Sequence, residues 1–207
     1  MKTCIENLLT KVPTDNQSID YIFAGDLLNQ CISSGYCIRD LEIPFFGLYG
    51  ACSTFCESLT LASLFVNAGY AKKAIAATSS HFCSAERQFR MPLEHGNQMS
   101  STAQCTVTGS GSAIVVPKEI SIQSPFITPG KIIDFGITDM ANMGAAMAPA
   151  AYNTISTHLN DTQRKADYYD AIITGDLGTL GSQILVDLFN NEGVDISNIH
   201  KDCGAII

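Results

Sequence analysis

The residue best placed to do chemistry is Cys52, in the run GLYGACSTFCESLTLASLFVNAG (residues 47–69), where an apolar, glycine-bearing segment leads into a long and nearly uncharged helical pattern. A thiol at a strand-to-helix junction sits beside backbone N–H groups that have no intrahelical partner, at the positive end of the helix dipole. Both favour the thiolate and lower its pKa from about 8.5. The same amides can hold an oxyanion. A second reading makes Cys52 a small buried residue like the other cysteines, and position alone leaves both open.

Other polar groups gather at comparable strand ends. Ser79, Ser80 and His81 follow the apolar run Lys73–Thr78, and Arg87 and Arg90 stand shortly after. Hydroxyls, arginines and the helix N-termini after Cys52 and near Ser182 are potential hydrogen-bond donors. Arg87 and Arg90 could equally pair with Glu86 or Glu94 on the surface. His95, His158 and His200 are expected to be solvated in polar loops or at a helix end. Asp26 and Asp176 read first as turn and helix-capping residues. Cys52 and Cys56, one helical turn apart, could form half a metal site, but no second ligand pair follows at zinc spacing and no metal is expected.

The elements that must position these groups alternate. A helix ends near Val12, closed by Pro13. Asp20–Ala24 and Ile43–Tyr49 read as buried strands, with a helix over 27–40 between them. Ser53–Asn67 reads as a central helix with Phe55, Leu59, Ala62 and Val66 on one face, widened almost all round by Leu61, Leu64 and Phe65, and ending at Gly69. Ala74–Thr78 and Ser112–Val116 are further strands, Ser84–Met91 a polar helix or loop, and Ile120–Phe135 extended pieces. Ala145–Leu159 resembles a helix despite Pro149. Ala171–Thr174 reads as a strand, Gly181–Phe189 as a helix and Gly204–Ile207 as the start of a last strand. The alternation indicates an α/β class. Tyr21–Leu27 (YIFAGDL) recurs as Ala171–Leu177 (AIITGDL), each after an aspartate, which suggests two βα halves meeting face to face.

Composition narrows the class. The 207 residues suffice for one domain or two packed halves, with 46% hydrophobic and 15% charged residues. A net charge of −8 offers no general attraction to nucleic acid or anionic lipid. The start MKTCIENLLTKVPTDN lacks a signal peptide's apolar core, and no run reaches about 18 apolar residues, so a cytoplasmic or peripheral protein is expected. Eight cysteines without CxxC pairs point to reduced, mostly buried thiols.

Gly50-Ala51-Cys52-Ser53-Thr54, the strand Ala74–Thr78 and Val107–Val115 (VTGSGSAIV) follow in the order of the nucleophile elbow, next strand and glycine-rich strand entry of thiolase-fold condensing enzymes, such as ketoacyl-acyl-carrier-protein synthase III. A closer resemblance covers nearly the whole chain. AGDLLNQ (24–30), GACST (50–54), AATSSH (76–81), AERQFR (85–90), TVTGSG (106–111), GITD (136–139), MAPAA (147–151) and TGDLG (174–178) together resemble the stage V sporulation protein AD family.

The resemblance implies a thiolase-like duplicated α-β-α-β-α layered fold, incomplete at both ends, with halves at 1–118 and 119–207. It places Cys52 at the nucleophile's position. The histidine that condensing enzymes carry after the strand equivalent to Ala171–Thr174 is replaced by Gly175-Asp176, so no catalytic residue is expected. Family membership implies binding of dipicolinic acid or its calcium chelate for uptake into the spore. Cys52, Ser79, Ser80, His81, Arg87, Arg90, Gly175 and Asp176 then become ligand-binding candidates, with Asp26 or Asp176 able to approach a calcium ion. No cofactor is implied. The expected partners are the ligand, other proteins of the stage V sporulation A operon at the spore inner membrane, and a second copy of the chain. The alternative is an acyltransferase using Cys52, with His81 as an unusual base.

Overall fold

The computed structural model describes residues 1–28, 31–89, 100–117 and 126–206, with side chains throughout except at 86–89. The chain forms two compact units, one built from Met1–Gly96 with Cys105–Pro125, the other from Asn97–Gln104 with Phe126–Ile207. The division expected at 118/119 falls outside the described residues.

The first unit is a four-stranded sheet in the order β2-β1-β3-β4, with β1 at Tyr21–Asp26, β2 at Phe45–Gly47, β3 at Ala74–Ser80 and β4 at Gly109–Val115. β2, β1 and β3 run parallel, pairing Ile22 with Phe45 and Ile75, while β4 runs antiparallel to β3 with Ala76 opposite Ala113. β1 is buried from Ile22 to Asp26, as an interior parallel strand covered on both faces must be. Side chains alternate across the sheet. Ile22, Ala24, Ile75 and Ala77 join Ile5 and Leu9 of α1 (Lys2–Lys11) and Ile38 of α2 (Ile32–Ile38) in one core. Phe23, Ala74 and Ala76 meet Ala62 and Val66 of α3 (Thr54–Asn67) in the other. Helices on both faces give an α/β unit with one sheet between helical layers, the class expected from the sequence.

α3 differs from its expected face. Its buried residues are Thr54, Ser58, Ala62 and Val66, a single i+4 row, and Leu64 is 50% exposed. Small side chains let the helix approach the sheet closely, and the Ser58 hydroxyl is satisfied by donating to Phe55 O at 2.8 Å. The helix ends as predicted. Gly69 takes φ +78°, with Gly69 N donating to Val66 O and Tyr70 N to Phe65 O. α4 (Phe82–Phe89) follows β3.

In the second unit, α5 (Met143–Thr162) and α6 (Gly178–Asn191) cross at Gly144 and Gly181. A Cβ on Gly144 would stand 2.3 Å from Leu177 O, so only glycine permits this approach. α5 runs through Pro149, capped by Asn142, whose Oδ1 accepts from Ala145 N at 3.2 Å. Ala148, Leu185, Phe189 and Ile196 form the core. β5 (Ile172–Thr174) pairs in parallel with β6 (His200–Asp202), Thr174 opposite Asp202.

The strand expected at Gly204–Ile207 is instead β6 at 200–202, and Cys203–Ile206 is a helical turn, α7. Asp202 bends the chain there, since its Oδ1 accepts from Ala205 N at 3.1 Å and caps the turn. The thiols also differ from expectation. Cys4, Cys31 and Cys37 are half-buried, and Cys52, Cys56, Cys83, Cys105 and Cys203 are exposed. No helix among the described residues is long and apolar enough to cross a membrane.

Candidate functional site

Because β2, β1 and β3 are parallel, their C-terminal ends share one edge of the first unit's sheet, the edge where open α/β sheets bind ligands. Asp26, the elbow after Gly47, and Ser79-Ser80-His81 all belong to that edge. Gly25 is what lets the elbow close on β1. A Cβ there would lie 2.1 Å from Leu48 O and 2.8 Å from Thr54 Cγ2. Leu48 N also donates to Ala24 O at 2.9 Å, which ties the segment after β2 to the end of β1.

The elbow itself is tight. Ala51 adopts φ +48°, a left-handed conformation that costs a non-glycine residue about 1–3 kcal/mol. Gly50 N donates to Thr54 Oγ1 at 3.0 Å, and Ser53 Oγ donates to Gly50 O at 2.8 Å. Cys52 lies in this single 3-10 turn, immediately before α3, with its side chain exposed. A strand-to-helix junction was expected at Cys52, and the chain there runs from β2 through this turn into α3.

Glu57, one turn into α3, is a residue whose role sequence reasoning missed, although it was visible as the helix's only charge. Its Oε2 is buried with no hydrogen-bond partner among the described residues, and a Cβ on Gly50 would stand 2.8 Å from it. A buried acceptor left without a donor is costly, so Glu57 gives the underside of the elbow an acceptor able to take a donor.

At the end of β3 the candidates divide. Ser80 Oγ donates to Val107 O, and Phe82 N donates to Thr108 Oγ1 at 3.0 Å, so the entry to β4 fastens this corner. The single hydroxyl proton of Ser80 is thus committed. Ser79 is half-buried and His81 exposed, with His81 O accepting from Ala85 N at the start of α4. Arg87 lies in α4 with its side chain outside the described residues, and Arg90 lies wholly outside them. Asp26 is a capping residue, as expected: it is buried, and its carboxylate accepts from Leu28 N at 2.8 Å and from Ser34 N, in the first turn of α2, at 3.2 Å.

The second unit places Gly175 and Asp176 just past β5. Asp176 is half-buried; burial, then the neighbouring Asp202 charge, push its carboxyl above the usual range. A Cβ on Gly204 would lie 1.8 Å from Asp176 Oδ1, so a side chain there would displace the Asp176 carboxylate. Asp202, which the sequence did not single out, does the capping expected of Asp176: it accepts from Leu177 N at 2.8 Å and Gly178 N at 2.9 Å at the start of α6.

Two histidines expected in solvent are not there. His200 is 7% exposed, with Nε2 2.9 Å from Thr174 Oγ1 and Nδ1 3.2 Å from Ser182 Oγ. Burial lowers its pKa, partly opposed by Asp202. His158 bonds Thr128 Oγ1 through Nδ1 at 2.8 Å and Tyr169 Oη through Nε2 at 2.7 Å. Both rings are occupied on both nitrogens within their own unit.

The chain's likeness to known proteins is consistent with this geometry. A family model described as stage V sporulation protein AD matches residues 1–207. The chain is 47% identical over 207 residues to stage V sporulation protein AD of Bacillus subtilis (strain 168), covering 100% of this chain and 61% of that longer relative. Among solved structures, a variant of Xanthomonas campestris OleA bound with cerulenin superposes with a TM-score of 0.71 at 12% identity, covering 99% of this chain and 64% of that one. The 3-oxoacyl-[acyl-carrier-protein] synthase III of Aquifex aeolicus VF5 gives 0.61 at 15% identity, over 95% and 68%. At these identities the structural likeness shows the fold alone, the thiolase-like fold of condensing enzymes.

Proposed function

The chain belongs to the stage V sporulation protein AD family, and from that premise we propose that it is a non-catalytic sporulation protein binding dipicolinic acid, or its calcium chelate, for uptake into the developing spore. The observation that favours binding over turnover lies after β5. The resemblance to condensing enzymes sets Gly175-Asp176 where those enzymes carry a histidine, and the unit's two imidazoles, His158 and His200, are already bonded on both ring nitrogens. A site without that histidine is better suited to holding a ligand than to acyl transfer.

The proposed ligand site is the elbow. A pyridine dicarboxylate needs N–H or O–H donors for its carboxylates and apolar walls for its ring. The first-turn amides of α3 and the Ser79 hydroxyl are candidate donors, with His81, Arg87 and Arg90 along the same stretch. Ser80, whose proton goes to Val107, can contribute only as an acceptor. Both Asp26 oxygens accept from backbone amides, so a calcium ion at that strand end would share them with Leu28 N and Ser34 N. The proposed partners are other proteins of the stage V sporulation A operon at the spore inner membrane and a second copy of the chain.

Titration calorimetry with dipicolinate, with and without calcium, tests this reading. Saturable heat supports it, and a folded protein giving none overturns it. The second reading, an acyltransferase, is favoured by the exposed Cys52 thiol at the start of α3. It predicts a thioester on Cys52 after incubation with acetyl-CoA, detected by mass spectrometry and lost in Cys52→Ala.

A further inference from the structure

Arg164 leaves α5 just past its left-handed cap Gln163 (φ +53°), and its own amide donates to Leu159 O at 3.0 Å, so the helix-ending turn fixes its backbone. Its guanidinium carbon lies 4.3 Å from the ring centroid of Tyr168 and 4.7 Å from that of Phe126. Nη1 donates to Tyr169 Oη at 3.2 Å, and Tyr169 is anchored in turn by His158. A guanidinium held against aromatic faces loses part of its hydration and is kept in one orientation.

Among the described residues no carboxylate pairs with this cation. The ion pairs among the described residues, Lys2–Asp40 and Arg39–Asp40, both belong to the first unit. Of its five N–H donors, the described hydrogen bonds engage one. Tyr168 and Phe126 are 62% and 61% exposed, so the rings that steady the guanidinium also face solvent.

We propose that Arg164, Tyr168 and Phe126 form a second binding site, separate from the elbow, for a small carboxylate carried on a planar aromatic ring. The guanidinium fork takes the carboxylate through two parallel N–H bonds, and the ligand ring lies against Tyr168 or Phe126. Asp161, Asp167 and Asp170 flank the site in sequence and repel a multiply charged acidic surface, which leaves a compact ligand of low charge as the fitting class.

The test is titration of the full chain with benzoate, followed by NMR at the Arg164 Nε–H and the Tyr168 ring, with acetate as the non-aromatic probe. Benzoate is expected to shift both signals saturably, and acetate to bind at least tenfold more weakly. R164K keeps the charge but loses the fork, and Y168L removes one ring; each is expected to weaken benzoate at least tenfold while its circular dichroism stays that of the parent. The Arg164 and Tyr168 signals report this site alone, so benzoate bound elsewhere on the chain does not enter the affinity they measure. Parent-like affinity in R164K or Y168L, or acetate binding as tightly as benzoate, would overturn the proposal.

Discussion

Thr174 Oγ1 donates to Asp202 Oδ2 at 2.6 Å, and with its only proton so committed it can meet His200 Nε2, 2.9 Å away, only as an acceptor. His200 therefore carries its proton on Nε2 and, when neutral, accepts from Ser182 through Nδ1. One hydroxyl bond thus sets the tautomer of a buried ring that also links β5, β6 and α6.

This network makes stability pH-dependent. Burial lowers the His200 pKa in the folded state, so below about pH 6.5 the unfolded chain takes up a proton that the folded chain resists. The contribution is intact above that pH and is lost progressively as pH falls from 6.5 through the lowered folded-state value. Urea midpoints measured from pH 8 to pH 5 should fall for the parent and fall less steeply for His200→Gln; parallel curves would remove His200 as the cause.

Asp176 has the opposite sense. Its folded-state pKa is raised by burial and by Asp202, so the charged form strains the folded state at neutral pH and the protonated form relieves it. Asp176→Asn should be more stable than the parent at pH 7, and the difference should shrink as pH falls toward 3.8. An Asn variant less stable than the parent at pH 7 would show that Asp176 gains more from its contacts than it loses by burial.

Gly25 tests how the elbow is built. Gly25→Ala forces a Cβ into Leu48 O and the Thr54 methyl, so either β1 or the elbow must move. A loss of about 1–3 kcal/mol is expected in chemical denaturation, as for other overpacked sites. Dipicolinate affinity should fall in the same variant, whereas a parent-like midpoint would mean that the elbow yields easily.

The strands of the first unit were legible because β1 and β3 are uninterrupted apolar runs, which only interior parallel strands require. The elbow was legible because Gly50-Ala51-Cys52 stands between such a strand and a helix. His200 was not: its strand is three residues long, His-Lys-Asp, and its burial comes from Thr174 and Ser182, 26 and 18 residues away in sequence. Distant pairing likewise hid the commitment of Ser80 to Val107, a consequence of how β4 enters beside β3. Asp176 looked like a cap because it matches Asp26 in the repeat, yet Asp202 reaches the α6 amides from the neighbouring strand. Local pattern reads runs and turns, while side-chain partners depend on register.

The central claim, that the Cys52 elbow holds a ligand instead of running a reaction, is tested most directly by the alkylation rate of Cys52 with iodoacetamide, followed by peptide mass spectrometry. Cys52 is exposed, and Cys83 and Cys203 serve as exposed internal references. Saturating dipicolinate is predicted to slow Cys52 at least tenfold and to leave Cys203 unchanged. An unchanged Cys52 rate, with dipicolinate bound to the same sample, would contradict the account.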